Sequence, residues 1–273
     1  MRLQDKLLQL KSERKAILAV NFYNFETLSG ILQTASIIEM PIVLQLSENS
    51  IRYMGLAVAA AMAKTAIREY AVEAWLHLDH GRSVGIVQSC LDEGFDSVMI
   101  DASEKSLDEN IRITNQVVKI AAGFDANVEA ELGFVAKLGQ KQNEQKSTQP
   151  GDAACFADST GVNALAIAIG SAHGFYKQAP KLDIELLARI SENIPTPLVL
   201  HGSSGIPDAM MQEAIRNGIC KINLATETKN TFMIALKERL KNNSEIDLRI
   251  VFPDATQAVV DLITKKLKII HQA

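Results

Sequence analysis

Short apolar runs alternate with amphipathic segments along the chain. The runs lie near residues 16–22, 41–47, 74–80, 97–103, 127–133, 164–171, 197–203 and 220–226, and are rich in Val, Ile, Leu and Ala. Near-continuous apolar runs of this length belong to strands covered on both faces, as in a parallel sheet flanked by helices. Eight strand-then-helix units predict an α/β protein that closes into a single (β/α)8 TIM barrel over residues 1–273.

Within each run the polar or small residues gather at the C-terminal end. They are Asn21, Ser47, Asp79 with His80, Asp101 with Ser103, Glu129 with Glu131, Ser171 with His173, His201 with Ser203, and Asn223 with Thr226. Barrel enzymes assemble their active sites at that end of the strands, so this sorting points to one functional rim. Two segments break the repeat. Residues 137–150 are rich in Gln and Lys and read as a mobile loop after the fifth strand, and residues 253–270 have a helical period carrying Lys265, Lys266 and Lys268.

Composition narrows the function. With 273 residues and 47% hydrophobic content the chain can bury a large core, and its net charge of −4 offers no basic surface for nucleic acid. Cys90, Cys155 and Cys220 form no CxxC pair and read as buried free thiols of a reducing compartment. The sequence shows neither a signal core nor a long apolar span. A cytoplasmic protein acting on a small polar molecule, with neither nucleic acid nor membrane as partner, is therefore expected.

His80, His173 and His201 each close an apolar run and are each followed by glycine. On neighbouring parallel strands their imidazoles converge on one rim and could supply the three protein ligands of a catalytic divalent metal; the plainer alternative is three core histidines. His77 differs from His80 in parity and is expected on the opposite side of the strand, as a packing residue or a support for the ligands. His271 reads as a surface residue. Asp79 suits proton exchange or the orientation of an imidazole. Asp101 and Glu131 are carboxylates near the same rim, for a further metal position or for support. Gly202-Ser203-Ser204-Gly205 and Asn223-Leu224-Ala225-Thr226 follow the seventh and eighth runs, the usual phosphate site of barrels.

Taken together, HLDHG (77–81), SVMIDAS (97–103), VEAELG (128–133), AIGSAHGFYK (168–177), LHGSSGIP (200–207) and KINLATE (221–227) resemble the class II, metal-dependent ketose-bisphosphate aldolases. AVNFYNFETL (19–28) and RYMG (52–55) give weaker support, so the likeness runs over essentially the whole chain. The resemblance implies reversible cleavage of a fructose or tagatose 1,6-bisphosphate to dihydroxyacetone phosphate and an aldehyde. It implies that His80, His173 and His201 hold the catalytic zinc and that Asp79 is the acid/base. Asp101 and Glu131 would take a second cation, divalent or monovalent. Gly174, Gly202, Ser203, Ser204 and Asn223, Leu224, Ala225 and Thr226 would contact the phosphate-bearing triose, with Asn223 also catalytic. Asn21 and Ser47, at the ends of the first two runs, join the substrate contacts. Arg249 matches an arginine that reaches a neighbouring subunit's site and reads the distal phosphate, which implies a homodimer or homotetramer.

Departures and rivals remain. Relatives carry a flap glutamate after VEAELG where this chain reads FVAKLGQKQNEQ, leaving Glu144 as a stand-in, and Glu104 stands where many relatives have histidine. A different ketose 1-phosphate is an alternative substrate. A zinc metallohydrolase and a regulatory descendant of an aldolase are rival classes, and Lys221, sharing the parity of Asn223, raises a Schiff-base aldolase.

Overall fold

The computed structural model describes residues 1–133, 135, 147–176 and 180–273. Eight parallel strands form a closed barrel in chain order: β1 (Ile17–Asn21), β2 (Ile42–Ser47), β3 (Ala74–Gly81), β4 (Ser97–Ile100), β5 (Asn127–Leu132), β6 (Ala164–Ile167), β7 (Leu198–Leu200) and β8 (Ile219–Leu224). Helices α1 (Leu3–Glu13), α2 (Phe25–Ile38), α3 (Glu48–Met54), α4 (Leu56–Tyr70), α5 (Val84–Asp92), α6 (Leu107–Ala122), α7 (Pro150–Thr160), α8 (Ile184–Asn193), α9 (Asp208–Arg216), α10 (Thr226–Leu240) and α11 (Leu248–His271) interleave with them. This is the expected TIM barrel. Among the described residues, no helix is long and apolar enough to cross a membrane.

β4, β6 and β7 end earlier than their apolar runs. At their C-terminal ends the chain leaves the ladder, and Asp101, His173 and His201 sit on the departing segments. The C-terminal helix begins at Leu248 rather than 253, because the Asp247 side chain accepts the Arg249 N–H and caps it; Pro253 is carried inside the helix. His271, expected beyond that helix, is instead its last residue and is exposed.

Alternation along the strands sorts the barrel into layers. Outward residues such as Leu18, Leu44, Leu76 and Leu78 pack beneath the helices in the main core. Inward residues at the N-terminal end are apolar: Ile17, Ala19, Val43, Trp75, Ala164, Ala166 and Val199. The barrel's lower opening is closed by α1, whose Leu3, Leu7 and Leu10 share one face at helical spacing and join that cluster. Each fully buried leucine there contributes roughly 1.5–3 kcal/mol.

Above this floor the interior turns polar. Asn21, Gln45, His77, Ser97 and Asn127 are successive register partners across β1 to β5, forming one continuous polar row around half the barrel. All five are buried, and this row underlies the rim where the predicted site residues lie.

Candidate active site

Strict alternation places His77 and His80 on opposite sides of β3, and the structure differs. His77 and Asp79 face inward by parity: His77 Nδ1 lies 2.7 Å from Ser97 Oγ, and Asp79 accepts from Asn21 Nδ2 at 2.8 Å and Gln45 Nε2 at 3.3 Å. His80 is turned to the same side by its backbone. It has φ 53°, and the β3–β4 register shifts between Leu78 and Gly81. A left-handed residue in a strand carries a conformational cost that the surrounding structure must override.

His173 and His201 complete the cluster. The His80 ring centroid lies 4.9 Å from that of His173 and 4.8 Å from that of His201, with His173 and His201 5.7 Å apart. The loops bearing these two are fastened by Tyr176, whose hydroxyl accepts the Ala172 N–H at 2.8 Å and donates to the Gly202 carbonyl at 2.7 Å. Gly202, at φ 67°, lies so close to the Ala172 carbonyl that a Cβ there would collide with it. Glycine is therefore required beside His201.

Each of two imidazoles has one nitrogen on a carboxylate. His80 Nδ1 lies 2.8 Å from Asp101 Oδ2, and His201 Nε2 lies 2.9 Å from Glu129 Oε1. The other nitrogens, His80 Nε2 and His201 Nδ1, face each other at 3.0 Å. Two lone pairs at that separation repel unless a proton or a cation lies between them. The Glu131 Oε2 atom makes no hydrogen bond although buried, and sits 3.5 Å from His201 Nδ1. Among the described residues, His80, Glu131, His173 and His201 form one group whose ligand atoms all lie within 4.8 Å of one another. Three imidazoles and a carboxylate suit a zinc-like divalent ion. The residues present therefore fit a metal.

The electrostatics follow from burial and neighbours. Burial opposes charge on His80, yet the Asp79 charge and the Asp101 hydrogen bond prevail and raise its pKa to about 9. Burial, with the His80 charge, lowers His173 to about 3, so it stays neutral. Burial raises Glu131 above the ordinary carboxylate range. Asp79 goes the other way: its burial is overcome by the His80 charge and the Asn21 hydrogen bond, which hold it ionised. One Asp79 oxygen lies 4.0 Å from His80 Nε2, beside the metal-binding group.

Beneath the cluster, Lys221 Nζ donates to Glu129 Oε2 at 2.9 Å and to Asn223 Oδ1 at 2.7 Å. Asn223 Nδ2 is 3.0 Å from His201 Nε2. The sequence alone draws no attention to Gln45 and Tyr23, places Glu129 on the rim without a role, and reads His77 only as packing or support. The signal was present in parity, since Gln45, His77 and Glu129 share the inward phase of Ser47, Asp79 and Glu131.

The predicted anion loops meet as expected from barrel topology. The Ser203 hydroxyl donates to the Asn223 carbonyl at 2.6 Å, and Ser204 Oγ accepts the Glu227 N–H at 3.1 Å. Helix α10 starts at Thr226 after Leu224 and Ala225 with no cap from Ala225, so apart from the Glu227 N–H taken by Ser204 its first N–H groups suit an anion. Tyr23 donates to the Ala225 carbonyl at 3.1 Å and steadies that turn. Gly174, at φ 101°, follows His173 directly.

Other predicted residues lie apart from the cluster or act differently. Ser47 caps α3 through the Ser50 N–H and is the register partner of Asp79. Asp101 is engaged with His80 and with the Ser103 hydroxyl at 2.7 Å. Glu104 is exposed. Arg249 bonds its neighbour Asp247 and has an 89% exposed side chain, with no bond to the cluster among the described residues. Glu144 and most of the expected 137–150 loop lie outside the described residues.

Fold and site together define a barrel enzyme with a metal-competent histidine cluster, an ionised carboxylate beside it and an adjoining helix N-terminus flanked by Ser203 and Ser204. The family model for class-II fructose-bisphosphate aldolase matches residues 1–273, and the chain belongs to that family. It is an aldolase, a carbon–carbon lyase. The chain is 34% identical over 274 residues to the D-tagatose-1,6-bisphosphate aldolase subunit GatY of Klebsiella oxytoca, covering 98% of this chain and 96% of that protein. Among solved structures, the YdjI aldolase from Escherichia coli K12 superposes with TM-score 0.88 at 31% identity, covering 98% of this chain and 96% of that one. A putative fructose-1,6-biphosphate aldolase from Coccidioides immitis superposes with TM-score 0.89 at 27% identity, over 99% and 96% of the two chains.

Proposed function

We propose that this aldolase is zinc-dependent and reversibly splits the C3–C4 bond of a ketose phosphate, a tagatose or fructose 1,6-bisphosphate or a related ketose 1-phosphate. The observation that carries this is the ionised Asp79 carboxylate held 4.0 Å from His80 Nε2, within the metal-competent cluster. His80, His173 and His201 would hold the ion, and Glu131 lies close enough to join or alternate with them. A divalent ion there supplies electrophilic stabilisation of the carbanion left when the bond breaks.

The chain's own residues do the rest. Asp79, oriented by Asn21 and Gln45, takes the proton of the C4 hydroxyl during cleavage and returns it during synthesis. Asn223, with its oxygen held by Lys221, turns its amide N–H toward the oxygen on which negative charge grows. Ser203, Ser204 and the open N-terminus of α10 bind the triose phosphate. The relative named as a tagatose-bisphosphate aldolase subunit supports the bisphosphate reading.

A second subunit belongs to the same proposal, because Arg249 is exposed here and could read a distal phosphate only in a partner's site, through a bidentate guanidinium contact. The three unpaired thiols, Cys90 and Cys220 buried but Cys155 exposed against expectation, support a cytoplasmic setting. A coupled assay of zinc-loaded and chelated protein, on tagatose and fructose bisphosphates and on sugars phosphorylated only at C1, tests the assignment. Full cleavage by zinc-free protein would overturn the metal dependence.

A further inference from the structure

Lys221 is fully buried within the barrel, as is Glu129, and a buried unpaired charge is costly. Two of the three Lys221 N–H bonds are committed, one to Glu129 and one to Asn223. Lys221 does face the interior with Asn223, as its parity predicts, but an ammonium held between these two acceptors has no lone pair for a carbonyl, which argues against a Schiff-base role. Its partners lie in different parts of the catalytic apparatus. Glu129 leads to His201, and Asn223 carries the amide proposed to meet the substrate oxygen.

Paired with an ammonium, the Glu129 carboxylate acts only as an acceptor. The nitrogen facing it at 2.9 Å, His201 Nε2, gives its hydrogen to that charged acceptor, so its 3.0 Å approach to Asn223 Nδ2 is not a hydrogen bond, and Nδ1 is left as the nitrogen that turns to the cluster. The Asn223 amide is fixed by the same ammonium. Lys221 can donate only to an oxygen, so Oδ1 faces the lysine and Nδ2 faces away from it. Exchanging the two amide atoms would set the amide N–H against the ammonium at 2.7 Å and leave that charge with one acceptor fewer.

We propose that Lys221 is a positioning residue: through Glu129 it fixes the tautomer of His201, and directly it fixes the amide of Asn223, so one buried ammonium sets both a metal ligand and the amide that meets the developing charge. The inference rests on the zinc aldolase reading, and it assigns a role to a residue that touches neither metal nor substrate. The plain rival is a buried ion pair that only holds the barrel together.

The test compares Lys221→Met, Glu129→Gln and the double variant with the unaltered protein. The readouts are zinc affinity by chelator competition, the His201 tautomer by nitrogen-15 NMR in zinc-free and zinc-loaded protein, and kcat separately from KM. Lys221→Met is expected to weaken zinc about 10- to 100-fold, the scale seen when groups orienting a ligand are removed. It should also mix the His201 tautomers and lower kcat while KM changes little. The double variant is expected to regain part of the zinc affinity, since no unpaired carboxylate remains, but not kcat, since Asn223 is still unheld.

If Lys221→Met does not fold, Glu129→Gln, which keeps the side-chain shape, carries the test by its His201 tautomer. An unmixed His201 tautomer in the folded variants, with kcat within about twofold of the unaltered protein, overturns the proposal whatever happens to the melting temperature. Cleavage by zinc-free wild-type protein would instead strike the metal reading, and it is read on a different sample from the variants.

Discussion

His80 Nε2 and His201 Nδ1 face each other at 3.0 Å, while the far nitrogen of each ring rests on a carboxylate, Asp101 for His80 and Glu129 for His201. The two rings thus present opposite nitrogens to a common point. Such facing lone pairs ask for a positive charge, and the chain's answer without metal is a proton on His80.

That proton must leave when a metal arrives. His80 has its pKa raised to about 9, so metal-free protein at neutral pH carries it charged, and zinc uptake there should release about one proton. Calorimetry in two buffers of different ionisation heat measures this directly. The stability consequence has the matching sign. A raised histidine stabilises the metal-free fold fully below its ordinary value of 6.5 and loses that contribution as pH climbs through about 9. Metal-free protein should therefore soften across that window more than zinc-loaded protein does, and parallel melting curves would contradict the assignment.

Removing a ligand should remove the ion. His201→Ala and His173→Ala are each expected to lower bound zinc well below about one per chain and to abolish cleavage. Metal analysis after gel filtration decides it. Stoichiometric zinc in both variants would move the metal elsewhere.

Asp79→Ala leaves the histidines in place and removes the carboxylate held by both Asn21 and Gln45. Zinc content and fold should persist while kcat for carbon–carbon cleavage falls by about 10² or more. Proton exchange at the triose-phosphate carbon should suffer less. A variant cleaving at nearly the normal rate would leave Asp79 with an orienting role alone.

Gly202→Ala tests the backbone beside His201. Its φ of 67° and the Ala172 carbonyl facing the added methyl group predict a loss of stability of roughly 1–3 kcal/mol. Thermal unfolding checks this, and an unchanged melting temperature would show that the loop relaxes freely.

Arg249 separates the two sizes of substrate. If a partner subunit places it at the distal phosphate, Arg249→Ala raises KM for a 1,6-bisphosphate and leaves a 1-phosphate unchanged. Mass measurement of the unaltered protein should show a dimer or larger assembly. Equal effects on both substrates would sink this role.

The barrel was legible in the sequence because strand, helix and rim polarity are local patterns. Eight apolar runs with polar C-terminal ends follow from a sheet buried on both faces and open at one end. Grouping His80, His173 and His201 needed only the assumption that their strands are neighbours in one closed sheet. The tertiary structure alone decided how the residues face. Alternation assigned His77 and His80 to opposite sides, and it failed because a left-handed residue and a register shift against β4 rotate His80 inward. Asp101 lies on His80, and Glu129 lies on both His201 and Lys221. Those contacts join β3 to β4 and β5 to β7 and β8, pairings that depend on the register of the closed barrel and on side chains crossing its interior, which no spacing along the chain encodes.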